Sequence, residues 1–176
     1  MKCPIPRLGA TMVIAAGLLL SACGGGGDDP PAAAQPQSVV ATQGDGSRYL
    51  GTWTGECGTI LLGTVLHAVQ YSFTLTSASA NTASGTLSVR DYGTNTISCN
   101  TQGTPSGPVA ITLTVDTTPA VASGIVAGSA DRVTISQAGA GDQVVHIAFR
   151  PDFARFWLND TPSYASTDIA YDKFMP

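Results

Sequence analysis

From Arg48 onward the chain alternates apolar and polar residues with a period of two, and no other feature constrains its fold as tightly. Val69, Tyr71, Phe73 and Leu75 are interleaved with Gln70, Ser72, Thr74 and Thr76; Val109, Ile111, Leu113 and Val115 are interleaved with Ala110, Thr112, Thr114 and Asp116. Successive side chains of a strand point to opposite faces, so each run predicts a strand with one face in a core and the other in water. Shorter runs of the same kind place Leu87 and Val89, Val133 and Ile135, and Val145, Ile147 and Phe149 inward. Turn-forming residues separate the runs, at Asn81, at Asp91-Tyr92-Gly93, from Pro105 to Pro108, at Thr118-Pro119 and at Gly139-Ala140-Gly141-Asp142. Strands are expected at about 49–57, 66–77, 83–91, 95–100, 109–116, 121–127, 131–138, 143–150 and 153–159. Eight to nine antiparallel strands at this spacing predict an all-β domain over 48–176, built as a barrel or as a β-sandwich. A barrel has the advantage of removing its own exposed edges. The residues after Asp160 include aromatic side chains but no strand period, and are expected to pack over one end of the sheet.

The N-terminus follows a different logic. Lys2 and Arg7 precede an apolar run at 8–20, which is shorter than the roughly 20 residues that span a bilayer and matches the core of an export signal. Leu20-Ser21-Ala22-Cys23 closes this run and resembles the lipobox of bacterial lipoproteins: a branched apolar residue, two small residues, then a cysteine. The resemblance implies cleavage after residue 22, with Cys23 first in the mature chain. Its sulfur would take a diacylglyceryl group, so that fatty acyl chains such as palmitate anchor the protein in a membrane. Several acyl chains hold a protein stably where one does not. The next residue is Gly24 and not the aspartate that often retains such proteins in the inner membrane, which implies an outer-membrane location facing the periplasm or the cell exterior. Residues 23–47 are rich in Gly, Pro and Ala with few large apolar side chains, and are expected to form a flexible linker.

Removing the leader takes away Lys2 and Arg7, two of the eight basic residues, and none of the twelve acidic ones. An acidic chain with scattered arginines is poorly suited to phosphate backbones, so nucleic acid is not an expected partner. The same cleavage discards Cys3 and commits Cys23 to lipid, leaving Cys57 and Cys99 as a pair. Outside the cytosol such a pair is most simply a disulfide, with two separate thiols as the alternative. Ile97 and Cys99 share a face of their expected strand, as Tyr49, Gly51, Trp53, Gly55 and Cys57 do of theirs, so the bridge fits both patterns.

Gly51-Thr52-Trp53 resembles the Gly-x-Trp opening of lipocalins and related calycin barrels. The resemblance implies an arginine of the last barrel strand packed across Trp53, with Arg155, which shares a face with Phe153 and Trp157, or Arg150 in that part. It further implies an interior able to take a small apolar ligand, for which Trp53, Tyr71, Phe73, Arg155 and Trp157 are the candidate contacts.

Residues suited to catalysis are scarce. Glu56 is the only glutamate and alternates outward; His67 opens a strand, and His146 lies opposite its strand's core set. No His-Glu-x-x-His, Gly-x-Ser-x-Gly, phosphate-binding glycine loop or EF-hand loop occurs, and the aspartates fit no calcium loop. No catalytic residues, metal ligands or cofactor are therefore expected. The leading expectation is a non-enzymatic envelope lipoprotein that docks on another envelope protein. A lipocalin-like carrier of a small hydrophobic ligand is the alternative, and a hydrolase ranks third for want of a nucleophile with a base beside it.

Overall fold

The computed structural model describes residues 34–62, 64–94, 98–100 and 102–174. The expected leader, Cys23 and Ile97 lie outside the described residues. Among those described the strands are β1 (Gln37–Val39), β2 (Gly51–Gly55), β3 (Gly58–Leu62), β4 (Val65–Ser79), β5 (Thr82–Thr94), β6 (Thr104–Pro105), β7 (Val109–Val115), β8 (Ala120–Gly124), β9 (Val126–Gln137), β10 (Gln143–Phe149), β11 (Arg155–Asn159), β12 (Ser163–Tyr164) and β13 (Ala170–Lys173). A single 3-10 turn at Gly46–Tyr49 precedes β2.

Eight of these strands close on themselves. β2, β4, β5, β7, β9, β10, β11 and β13 follow one another in chain order, each antiparallel to the next, and β13 returns to pair with β2 through Lys173 opposite Trp53 and Tyr171 opposite Gly55. The domain is thus a closed up-and-down barrel and not a sandwich. Its inner face carries the alternating apolar set: Trp53, Phe73, Leu75, Ile111, Leu113, Val115, Val133, Val145, Ile147, Phe149, Phe156 and Tyr171 form one continuous core. The facing set is polar. Thr52 lies opposite Thr74, Thr74 opposite Thr86, Ser84 opposite Thr112 and Thr114 opposite Thr134, with hydroxyl contacts at 3.4 Å for Thr52–Thr74 and 3.1 Å for Ser84–Thr112. A barrel spanning lipid would turn its apolar set outward, so this stretch of wall faces water.

On the opposite side the wall is covered. The strands expected at about 121–127 and 131–138 are both present, as β8 and β9, but β9 begins earlier, at Val126, and is the longer. Its first half pairs with β8 and, in parallel, with β1, while β12 adds to β8. This layer buries a second apolar cluster of Val39, Ala122, Val126, Ala130, Ala148, Trp157, Tyr164 and Ala170. β11 therefore has both faces buried, which is why it reads Phe156-Trp157-Leu158 without a polar interruption.

Three expectations are corrected. The linker expected to run to residue 47 does not reach that far: β1 begins at Gln37, Val39 is buried in the second apolar cluster and Val40 bridges to Phe149. The tail after Asp160 does not merely pack over one end: β13 is the closing strand, and only four residues long, too short to show a period. The strand expected at 95–100 is not found where the chain is described, since β5 ends at Thr94 and residues 98–100 are irregular.

Candidate functional site

The barrel has two unlike ends. One is closed by the 3-10 turn, which lays Tyr49 across the opening so that its ring meets Phe149 edge-on at 5.0 Å. Trp53, without exposed surface, donates its indole N–H to the Tyr49 carbonyl at 2.7 Å and packs on Phe149 and Phe156. Asp131 is the polar exception in this core. Its carboxylate accepts the Thr42 backbone N–H at 3.0 Å and the Tyr49 hydroxyl at 2.8 Å. Burial pushes the Asp131 carboxyl above the usual carboxylate range, against the hydrogen bonds that favour its charge. Burial, and then the neighbouring carboxylate, push the Tyr49 phenol up as well.

The position assigned to an arginine of the last barrel strand is held by a lysine. Lys173 of β13 sets its Nζ 5.1 Å from the Trp53 ring centroid, a cation–π contact across the barrel floor. Arg155 and Arg150 are elsewhere. Arg155 lies on the outer wall, paired with Glu56 and with Asp172 at 3.1 Å, and its guanidinium carbon stands 5.9 Å from the Trp157 ring. Arg150 pairs with Asp152 at 2.7 Å. The five candidate ligand contacts therefore separate: Trp53, Tyr71 and Phe73 face the interior, whereas Arg155 and Trp157 face outward, Trp157 beneath the covering layer.

At the other end the barrel opens into a recess of about 250 Å³ lined by Tyr71, Phe73, Leu87, Ile135, Val145, Leu158 and Tyr171, with Gln137 and Gln143 on its rim. Below it the interior is filled. Phe156 stacks on Tyr171 at 4.8 Å, and Phe73 meets Tyr171 at 5.2 Å. Small-molecule sites usually measure about 300–1,000 Å³.

Cys57 and Cys99 are joined in a disulfide. It ties the start of β3 to the irregular segment that follows β5. Beside it, His67 donates Nδ1–H to Asp91 at 2.8 Å, and the Gly93 N–H, then His67, hold the Asp91 carboxyl below its ordinary value. His146 points out of the barrel and donates to the Asp160 carbonyl at 3.1 Å. The two imidazoles are thus each engaged with a different acceptor, and neither shares a site with Glu56. Among the described residues no three His, Cys, Asp or Glu side chains converge as a metal site.

Two features were not read from the sequence. Asp131 shares its parity with Val133 and Ile135, which places it in the core, but an isolated aspartate carries no sign of the amide and phenol that receive it. The hairpin of β3 and β4 reads as two apolar stretches, Ile60-Leu61-Leu62 and Val65-Leu66, about Gly63-Thr64, without the alternation that marks a half-buried strand. In comparisons with known proteins the chain matches no family model, no curated protein and no solved structure.

Proposed function

We propose that this protein is a non-enzymatic, lipid-anchored lipoprotein of the bacterial envelope, held in the outer membrane through Cys23, whose barrel serves to dock on another envelope protein. The observation that carries the docking role is the filled interior. Trp53, Phe73, Phe149, Phe156 and Tyr171 occupy the space that a carrier barrel keeps for its cargo, and the remaining recess of about 250 Å³ is smaller than most small-molecule sites. The anchor rests on the charged start, the apolar run and the Leu20-Ser21-Ala22-Cys23 sequence.

The recess also supports a second reading, because its lining is apolar and open to solvent: a lipocalin-like site that holds the end of a small hydrophobic ligand. Titration of the protein with lauric acid, palmitic acid and lysophosphatidylcholine separates the two. Calorimetry is expected to detect no binding through the micromolar range. Saturable, one-to-one binding that Leu87→Trp at the recess weakens would replace docking with carriage.

A further inference from the structure

The hairpin of β3 and β4 leaves more apolar surface in water than any other part of the described chain. Leu61, Leu62, Val65 and Leu66 are 63%, 51%, 41% and 54% exposed. Leu61 lies opposite Leu66 and Leu62 opposite Val65, so the two pairs fall on opposite faces of the ribbon and neither face is covered. Contiguous exposed aliphatic side chains of this kind mark an interaction surface.

β3 is also an open edge. Among the described residues it pairs with β4 alone and no hydrogen bond reaches its other side. Beside that edge lies a crevice of about 470 Å³ formed by Glu56, Gly58, Thr59, Ser166, Thr167 and Asp168. Among the described residues its lining contains two carboxylates and no cation. Glu56 is paired with Arg155, while Asp168 accepts, among the described residues, from neutral donors, the Asn159 amide and the Ala165 N–H, each at 2.8 Å.

Three properties therefore coincide: unpaired strand backbone, aliphatic side chains on both faces and negative charge alongside. A bilayer suits the aliphatic groups but not the others, since hydrocarbon leaves an open strand edge unsatisfied and anionic headgroups repel the carboxylates. A second copy of this chain would bring the same carboxylates against themselves. An extended segment with alternating aliphatic and basic side chains answers each of them, completing the open edge, laying its aliphatic side chains along one of the two aliphatic faces and offering cations to the crevice.

We propose that the β3 edge and the adjoining Glu56–Asp168 crevice bind an extended, basic and aliphatic segment of a partner protein by strand addition. This rests on the docking role above and names the surface that performs it.

The test uses the mature, lipidated protein in nanodiscs of phosphatidylcholine, with end-blocked eight-residue peptides of alternating valine and lysine or valine and glutamate as probes. The lysine peptide is expected to shift the amide resonances of Thr59–Leu62 and slow their hydrogen exchange. The glutamate peptide is expected to bind at least tenfold more weakly. Glu56→Gln should weaken the lysine peptide several-fold, and Leu61→Ser with Leu66→Ser at least tenfold, while the near-ultraviolet dichroism of the core stays unchanged. Equal binding of both peptides, or of neither, overturns the proposal. So does burial of the hairpin in vesicles of phosphatidylethanolamine and phosphatidylglycerol, or a concentration-dependent dimer abolished by Leu61→Ser. Loss of the anchor would be read separately, from acylation of Cys23, so failure of the edge and failure of the lipoprotein reading stay distinct.

Discussion

The Asp131 carboxylate, with no exposed surface, accepts the Tyr49 hydroxyl at 2.8 Å. Because it also accepts the Thr42 N–H, one side chain of β9 fastens the segment that follows β1 to the barrel and holds the ring that closes its floor. Replacing it by alanine leaves both buried donors without their acceptor. Each unsatisfied group costs about 1–3 kcal/mol. Asp131→Ala should lower the unfolding free energy by that amount for each donor, measured by urea denaturation. Tyr49→Phe, which removes one donor and leaves the carboxylate its Thr42 bond, should cost less.

The same carboxylate gives stability a distinctive pH dependence. Burial raises its pKa in the folded state, so between the unfolded and folded values the folded protein binds more protons than the unfolded chain. The resulting contribution is fully present below the ordinary carboxylate range and is lost as the pH rises through the raised value. Asp45, Asp91 and Asp152 are shifted down and act in the opposite sense, and they are common to wild type and an Asp131→Asn variant. The stability advantage of wild type over Asp131→Asn should therefore be largest near pH 4 and shrink toward pH 7. Urea midpoints of the two proteins across that range measure it, and an advantage that grows with pH would contradict the assignment.

The barrel itself was legible because its inner face is made by alternation: the Val69–Leu75, Ile111–Val115 and Val145–Phe149 runs each turn their odd-numbered residues inward. What escaped lies where alternation does not apply. Phe156-Trp157-Leu158 is buried on both faces, β13 is only four residues long, and Leu61-Leu62 is buried on neither face. Position across the barrel is also invisible in one dimension. Arg155 and Trp157 have the parity of the outer wall, and it is the register of β13 against β2 that sets Lys173, rather than an arginine, over Trp53.

The Cys57–Cys99 bridge spans a separation of 42 residues. By loop-closure entropy such a crosslink stabilises by up to about 4 kcal/mol. It lies at the base of the hairpin, outside the ring of pairings that closes the barrel. A Cys57→Ser, Cys99→Ser protein should unfold at lower temperature by calorimetry but retain the near-ultraviolet signal of Trp53 and its aromatic neighbours below that transition.

Gly128 marks where the covering layer presses on the barrel strand. Its φ is +143°, and a Cβ placed there would stand 1.9 Å from the Val39 carbonyl oxygen. Gly128→Ala should therefore detach β1, raising protease cleavage within 37–45 while cleavage between 65 and 115 remains slow. Unchanged proteolysis in both regions would mean that β1 tolerates the side chain.

The most direct test of the account is the chemistry of Cys23. Cells expressing the protein are grown with radiolabelled palmitate, and the protein is purified from the membrane fraction and weighed by intact-mass spectrometry. The chain is expected to begin at Cys23, to be labelled and heavier by a diacylglyceryl group and a further acyl chain, and to be absent from membranes when Cys23→Ala is introduced. A mature, unlabelled protein in the water-soluble fraction would contradict it.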